Sequence, residues 1–192
     1  MVASELIAAP VARARCPNTT VALRAWVGVY FALWGLTVGI AALVWLAPGG
    51  ASFARGVLSL TLSGAHNPPP SIGEVGSITT NNIMHSVWPL SLGLLCVQRR
   101  RFTRLLADGA VFANLFVGAL LVGGAVGGYG VQALEFLPHV PLEWAGIVVG
   151  TAGWVVERGR PLDWRARMFG LALAAILLGC AAVAESCLVP HR

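Results

Sequence analysis

Residues 21–47 read VALRAWVGVYFALWGLTVGIAALVWLA, and this apolar run decides the fold class of the chain. It is longer than the roughly 20 apolar residues with which an α-helix crosses a bilayer, and the breaker Pro48-Gly49-Gly50 follows it. The second apolar run, at 84–97, is short and contains Pro89, which indicates either that its helix begins earlier or that the helix is broken. In total, the apolar runs predict five membrane spans, at about 21–47, 84–97, 109–134, 138–156 and 168–184.

The composition of the whole chain agrees with a membrane bundle. Of its 192 residues, 57% are hydrophobic and 11% are charged, and the mean hydropathy is +0.76. Soluble domains carry about a quarter charged residues, and disordered chains combine low hydrophobicity with high charge, so both classes are excluded. We therefore predict an all-α polytopic integral membrane bundle of five helices, with a single membrane domain over residues 21–192 after a short cytoplasmic segment at 1–20.

The arginines predict how this bundle is oriented. All 13 basic residues are arginines, and only Arg55 and Arg192 fall on one side of the predicted spans. The positive-inside rule then places the N-terminus in the cytoplasm, and the C-terminus and the loop at 48–83 outside, in a multi-pass protein of the cell membrane. The other eleven arginines precede or enter span one, or lie between spans two and three or four and five: Arg13, Arg15, Arg24, Arg99, Arg100, Arg101, Arg104, Arg158, Arg160, Arg165 and Arg167.

A cleaved signal peptide is the alternative interpretation of the N-terminal region. The apolar core of a signal peptide is only about 7–15 residues long, much shorter than span one, so a retained anchor is favoured. Cleavage near residues 51–54 stays open as the alternative.

Two further patterns concern packing. Residues 51–60 of the outer loop predict an interfacial helix, and the prolines at 68–70 break regular structure after it. Small residues spaced four apart let helices approach closely in lipid, and we interpret them as structural. They occur as Gly35-x-x-x-Gly39, as Gly123 and Gly124 paired with Gly127 and Gly128, and as Gly146-x-x-x-Gly150.

Apart from charges near the inner surface, three ionisable side chains fall inside the predicted spans, where such groups are costly and usually face the bundle interior. His85 opens span two, and His139 and Glu143 open span four, all from the outer side. The i, i+4 spacing of His139 and Glu143 places both side chains on one face of a helix. Asn81 and Asn82, just before His85, are positioned to join this polar group.

Three interpretations of the polar group are open. His85, His139 and Glu143 are a ligand set for zinc, with a fourth position for an activated water. Without a metal, Glu143 is a general base and His139 or His85 the acid or oxyanion donor. As a packing device, a His–Glu hydrogen bond fixes neighbouring helices. The chain has no His-Glu-x-x-His motif, so a conventional zincin is not supported.

The other polar residues are weaker indicators. Asp108, beside Arg104, is expected to cap the N-terminus of span three, and Asn114 to form a hydrogen bond across helices. Glu135 and Glu185 lie near outer ends and are expected to be solvated. We find no nucleotide-binding loop and no nucleic-acid module in the sequence, so nucleic acid is not an expected partner.

A family resemblance starts from one segment, Leu137-Pro138-His139-Val140-Pro141-Leu142-Glu143-Trp144-Ala145-Gly146, followed by Gly150 and Gly153. It resembles the Pro-His-Gly-x-x-Glu signature of the stage II sporulation protein M family, with Val140 in place of the glycine. Asn81-Asn82 before an apolar span is similar to that family's asparagine-bearing helix start. Asp108-Gly109 stands where the family has Asn-Gly, so that the resemblance covers about residues 78–156.

The resemblance implies an all-helical integral membrane protein. The family includes a component of the bacterial engulfment machinery and proteins encoded with circular or otherwise modified peptide bacteriocins. This adds weight to His139 and Glu143 as a functional pair. We therefore favour a membrane-embedded hydrolase or peptidase, in its concrete form a zinc-dependent intramembrane protease, which matures a small peptide or a membrane-protein substrate. The alternative is a non-catalytic scaffold or a peptide export or immunity subunit, working as a homo-oligomer or in a membrane complex.

Overall fold

The computed structural model describes residues 19–62, 72–94 and 100–188, and the described chain is a bundle of α-helices. No strand occurs among these residues, so the predicted all-α fold is confirmed. The helices are α1 (Thr19–Leu46), α2 (Gly50–Leu62), α3 (Ile72–Ser91), α4 (Arg101–Tyr129), α5 (Val131–Leu134), α6 (Val140–Glu157) and α7 (Trp164–Leu188).

Three of these helices are long and apolar enough to cross a membrane. They are α1, α4 and α7, with 28, 29 and 25 residues, which at 1.5 Å per residue gives each a length of about 38–44 Å. Large apolar side chains such as Phe31, Phe112 and Ile176 point outward from them. An apolar exterior around a helical bundle is what a bilayer requires, so the chain is a membrane protein.

Contacts between the helices give their relative directions. Trp26 donates a hydrogen bond from Nε1 to the carbonyl of Ala145 at 3.0 Å, and Tyr30 donates one to the carbonyl of Pro141 at 3.3 Å. Residue numbers that increase along α1 therefore pair with residue numbers that decrease along α6, so the two helices are antiparallel. Similar pairs make α4 parallel to α1, α3 parallel to α6, and α7 antiparallel to α6. The directions alternate from α1 to α3, α4, α6 and α7.

Helix α6 is the centre of the bundle. It packs against α1, α3 and α7, and twelve of its 18 residues are buried. Its glycines make this possible, because a Cβ atom at Gly146 would lie 2.6 Å from Leu178 of α7, and one at Gly150 would overlap the Ser86 carbonyl of α3. The predicted packing role of Gly146 and Gly150 is therefore confirmed.

The paired glycines of α4 contact two different helices. A Cβ atom at Gly123 or Gly127 would come within 2.7 Å of carbonyl oxygens of α1, while Gly124 and Gly128 face Leu58 and Ala54 of α2. Because Ala54 meets Gly128 and Leu58 meets Gly124, α2 runs back along α4 in the opposite direction. The predicted helix at 51–60 exists, but it folds against α4 instead of lying flat in an interface.

Several predicted boundaries and packing motifs differ from the structure. Helix α3 begins at Ile72, inside the segment predicted as an outer loop, and continues through Pro89 without a break. Helix α4 begins at Arg101, two turns before the predicted start at residue 109. Gly35 and Gly39 have no neighbouring atoms within 4 Å of a Cβ atom among the described residues, so this motif makes no close contact there. The prolines at 68–70 lie outside the described residues.

A buried ion pair fastens the ends of three helices. Arg167 of α7 pairs with Glu157 of α6 and donates a second hydrogen bond, of 2.5 Å, to the carbonyl oxygen of Leu90 in α3. Both charged residues are buried. A buried charge is tolerated only with a close partner, so this contact ties α3 and α6 to the start of α7.

Candidate functional site

The predicted pair of His139 and Glu143 lies at the start of α6. His139 is the N-cap residue, and its carbonyl oxygen accepts hydrogen bonds of 3.0 Å from the amides of Leu142 and Glu143. Pro141 in the first turn costs no hydrogen bond, because amides there have no partner within the helix. Glu143 is the acidic residue of this first turn, where the helix dipole favours a negative charge.

Two carboxylates from different helices face the imidazole of His139. Its Nε2 lies 3.7 Å from Oε2 of Glu143 and 3.9 Å from Oε2 of Glu185, near the end of α7. Both distances are longer than a direct hydrogen bond and short enough for electrostatic attraction or a bridging water. The sequence did not predict that Glu185 belongs to this cluster, into which α7 brings its partly exposed side chain.

The cluster is only partly accessible. The side chains of His139, Glu143 and Glu185 are 12%, 20% and 33% exposed. Among the described residues, Nδ1 of His139 and Oγ of the neighbouring Ser186 are buried without a hydrogen-bond partner. An unpaired buried polar atom costs about 1–3 kcal/mol, so these two atoms call for a bound water or a ligand group.

Aromatic side chains of α1 form the wall behind the cluster. Trp34 and Trp144 pack with ring centroids 4.6 Å apart, and Trp26 and Tyr30 stack at 5.3 Å while bonding to carbonyls at the start of α6. Since Tyr30 lies 16 residues before the end of α1 at Leu46, the start of α6 lies roughly 24 Å below that end. The cluster is therefore level with the middle of α1, and it lies close to the end of α7 at Leu188.

His85 has a different partner. Its Nδ1 lies 2.7 Å from Oδ1 of Asn114 in α4, and Nδ2 of Asn114 donates to the His85 carbonyl oxygen at 3.3 Å. Pro89 explains this arrangement, because it has no N–H for the carbonyl four residues earlier. The predicted hydrogen bond of Asn114 across helices is confirmed, and it joins α3 to α4. The structure thus groups His85 with Asn114, and His139 with Glu143 and Glu185.

The remaining predicted site residues occupy other places. Asn81 and Asn82 lie in α3, one turn before His85, with Asn81 exposed and Asn82 half-buried. Asp108 is not an N-cap, because α4 begins seven residues earlier at Arg101. Its carboxylate accepts hydrogen bonds from Nε1 of Trp154 at 3.0 Å and from Arg158 at 2.5 Å, which joins α4 to the end of α6.

The residues present do not form a ready ligand set for a metal. Within the described ranges, no group of three or more His, Cys, Asp or Glu side chains is arranged to hold a metal ion. His85, the third ligand proposed from the sequence, bonds to Asn114 instead. Zinc binding stays a prediction, and we derive no chemical step through a metal.

Comparison with protein-family models, with curated proteins and with solved structures found no match to this chain. The resemblance to the stage II sporulation protein M family therefore depends on the quoted motifs, and it stays a prediction.

Proposed function

We propose that this chain is a multi-pass membrane hydrolase that cleaves peptides or membrane-protein segments at the His139–Glu143–Glu185 cluster. The observation that carries the proposal is the cluster itself, in which two carboxylates from separate helices flank one imidazole. A purely structural pair would be expected to close into a direct hydrogen bond, whereas these atoms are 3.7 and 3.9 Å apart. That spacing leaves room for a water between them.

The proposed reaction uses side chains of this chain alone. Glu143 takes a proton from a water, which attacks the carbonyl carbon of the scissile bond, and the oxyanion is held by a proton of His139. When the tetrahedral intermediate collapses, the proton on Glu143 passes to the departing amine. Glu185 keeps the imidazole oriented.

The proposed orientation in the membrane follows from the arginines and from one contact. The arginine-rich end of the bundle comprises the start of α4 and the connection from α6 to α7. The Asp108–Arg158 ion pair brings these two segments together, which supports the prediction that both lie in the cytoplasm. The catalytic cluster then opens toward the outside, with α1, α3, α4, α6 and α7 crossing the membrane.

A non-catalytic scaffold is the second candidate function. The observation in its favour is that other polar residues of the bundle, such as the His85–Asn114 and Asp108–Arg158 pairs, connect helices to each other. Intramembrane polar groups often serve this purpose. On this view the His139 cluster is a further packing contact, and the protein holds or exports a peptide without cleaving it.

A cleavage assay separates these functions. Purified protein in detergent would be incubated with a pool of internally quenched fluorescent peptides that contain apolar segments. We expect Glu143→Gln to lower turnover by about a hundredfold or more, the scale for losing a positioned acid–base group, while the protein stays folded. Glu135→Gln, which alters an exposed carboxylate outside the cluster, is the matched control. Equal fluorescence release from the wild type and Glu143→Gln would rule out the hydrolase.

Elemental analysis of the same preparations tests the zinc-dependent form. Zinc bound in a one-to-one ratio and lost in His139→Ala would support a metal protease, with the protein supplying His139, Glu143 and further ligands. Turnover by a zinc-free preparation would support the acid–base mechanism described above.

A further inference from the structure

A groove lies between α1, α4 and α6 in the arginine-rich half of the bundle. Its volume is about 500 Å³, which is within the range of small-molecule sites. The lining is almost entirely apolar and includes Leu33, Leu36, Val111 and Leu115. Along α4 it extends from residue 108 to residue 115, a length of roughly 10 Å.

One end of this groove is charged. Asp108 and Arg158 form its rim, with Nη2 of Arg158 2.5 Å from Oδ2 of Asp108. Arg104 precedes Asp108 by four residues and therefore lies on the same face of α4. Arg104 is not among the lining residues and lies one turn beyond the rim, so that this end of the groove has two arginines and one carboxylate in its vicinity. A guanidinium has five N–H donors, so Arg158 keeps free donors while it is bound to Asp108.

The groove also contains a buried hydroxyl group. Thr151 of α6 lines the groove and is 4% exposed, and its Oγ1 has no hydrogen-bond partner among the described residues. A buried hydroxyl without a partner is costly in an apolar site. Thr151 lies seven residues before Arg158, roughly 10 Å along α6, so it can donate to a ligand that reaches inward from the rim.

We propose that this groove binds one anionic phospholipid from the surrounding bilayer. The phosphate contacts Arg158 at the rim and Arg104 one turn beyond it, an ester carbonyl accepts a hydrogen bond from Thr151, and an acyl chain fills the apolar part. An amphiphile with this order of groups matches the groove, which is positive at one end, polar at one point and apolar elsewhere.

A second groove of the bundle provides a natural comparison. It lies between α1 and the end of α4, has a volume of about 490 Å³, and is lined by residues such as Val38, Ala42, Trp45 and Leu134. None of its lining residues is charged. Acyl chains of any lipid can cover this second groove, whereas the first groove is expected to prefer lipids with an anionic headgroup.

Native mass spectrometry of the full chain in detergent tests the proposal, with phosphatidylglycerol and phosphatidylcholine as competing probes. We expect one retained phosphatidylglycerol and about tenfold weaker retention of phosphatidylcholine, because its choline cation cancels the phosphate charge and is repelled by the arginines. Ala32→Phe, which fills the groove from α1, should remove the adduct. Ala42→Phe, the same change in the second groove, should keep it.

Arg104→Gln provides a second variant that leaves the groove open. It should weaken phosphatidylglycerol binding about tenfold and change phosphatidylcholine binding less, because that lipid carries no net charge. Equal retention of both lipids by the wild type would overturn the proposal. So would an undiminished adduct in a folded Ala32→Phe variant, since the bound lipid would then lie elsewhere.

Discussion

At the scale of single residues, the clearest device is the way in which Asn114 compensates for Pro89. A proline inside a helix leaves the carbonyl four residues earlier without its usual donor, and here that carbonyl belongs to His85. Asn114 of α4 supplies the missing N–H at 3.3 Å, and its Oδ1 accepts a hydrogen bond from Nδ1–H of His85 at 2.7 Å. One side chain thereby satisfies a helix defect and joins two helices.

This interpretation predicts that the cost of losing Asn114 depends on Pro89. Asn114→Ala should destabilise the protein by about 1–3 kcal/mol, because it leaves the His85 carbonyl unpaired. In a Pro89→Ala background the helix has its own donor, and the same substitution should cost clearly less. Thermal unfolding in detergent measures both, as a double-mutant cycle. Asn81→Ala, an exposed asparagine in α3, is the control, and equal costs in the two backgrounds would refute the compensation.

The cluster shows which residues could be predicted from the sequence and which could not. His139 and Glu143 are four residues apart, so the periodicity of one helix is enough to place them together. Glu185 is 42 positions beyond Glu143, and only the antiparallel packing of α7 on α6 brings it there. The depth of a carboxylate near the end of an apolar run depends on the length of its neighbours, which the sequence of one span does not contain. His85 also depends on packing, because only the approach of α4 to α3 brings Asn114 to its ring.

At the scale of helices, glycines act only where another backbone comes close. The sequence motif is the same at Gly35-x-x-x-Gly39 and at Gly146-x-x-x-Gly150. In the structure the first faces no neighbour among the described residues, whereas Gly150 lies against the Ser86 carbonyl. A spacing of four therefore predicts a smooth helix face, and the arrangement of the bundle decides which faces are used.

Alanine substitutions at these glycines should give opposite results. Gly150→Ala should destabilise the bundle by about 1–3 kcal/mol or more, because its methyl group would overlap the backbone of α3. Gly35→Ala should stay within about 1 kcal/mol of the wild type, since it meets no atom and raises helix propensity. Unfolding in detergent provides the comparison. A loss at Gly35→Ala as large as at Gly150→Ala would mean that α1 has a partner at this face.

At the scale of the whole molecule, the distribution of arginines and the packing of the helices both predict helix directions that alternate along the chain. The apolar helices were predictable because a bilayer demands about 20 apolar residues in a row, and α1, α4 and α7 meet that demand. Helices α3 and α6 are shorter, with 20 and 18 residues, and α6 is buried by α1, α3 and α7. Their boundaries were harder to predict, since a helix enclosed by protein can carry Glu157, Pro89 or Asn82 without exposing them to lipid.

The last prediction concerns the side of the membrane on which each end of the bundle lies. The alternating helix directions determine which helix ends lie together, and the arginine-rich end, which the Asp108–Arg158 ion pair holds together, is predicted to face the cytoplasm. Reporter fusions after Arg104 and Asp163 should therefore be active in the cytoplasm, and a fusion after Gly73 should be active outside. Cys187, exposed near the end of α7, should react with a membrane-impermeant maleimide in intact cells. A reporter at Arg104 that is active outside the cell would contradict the predicted orientation. The His139 cluster would then open to the cytoplasm and act on substrates from that side.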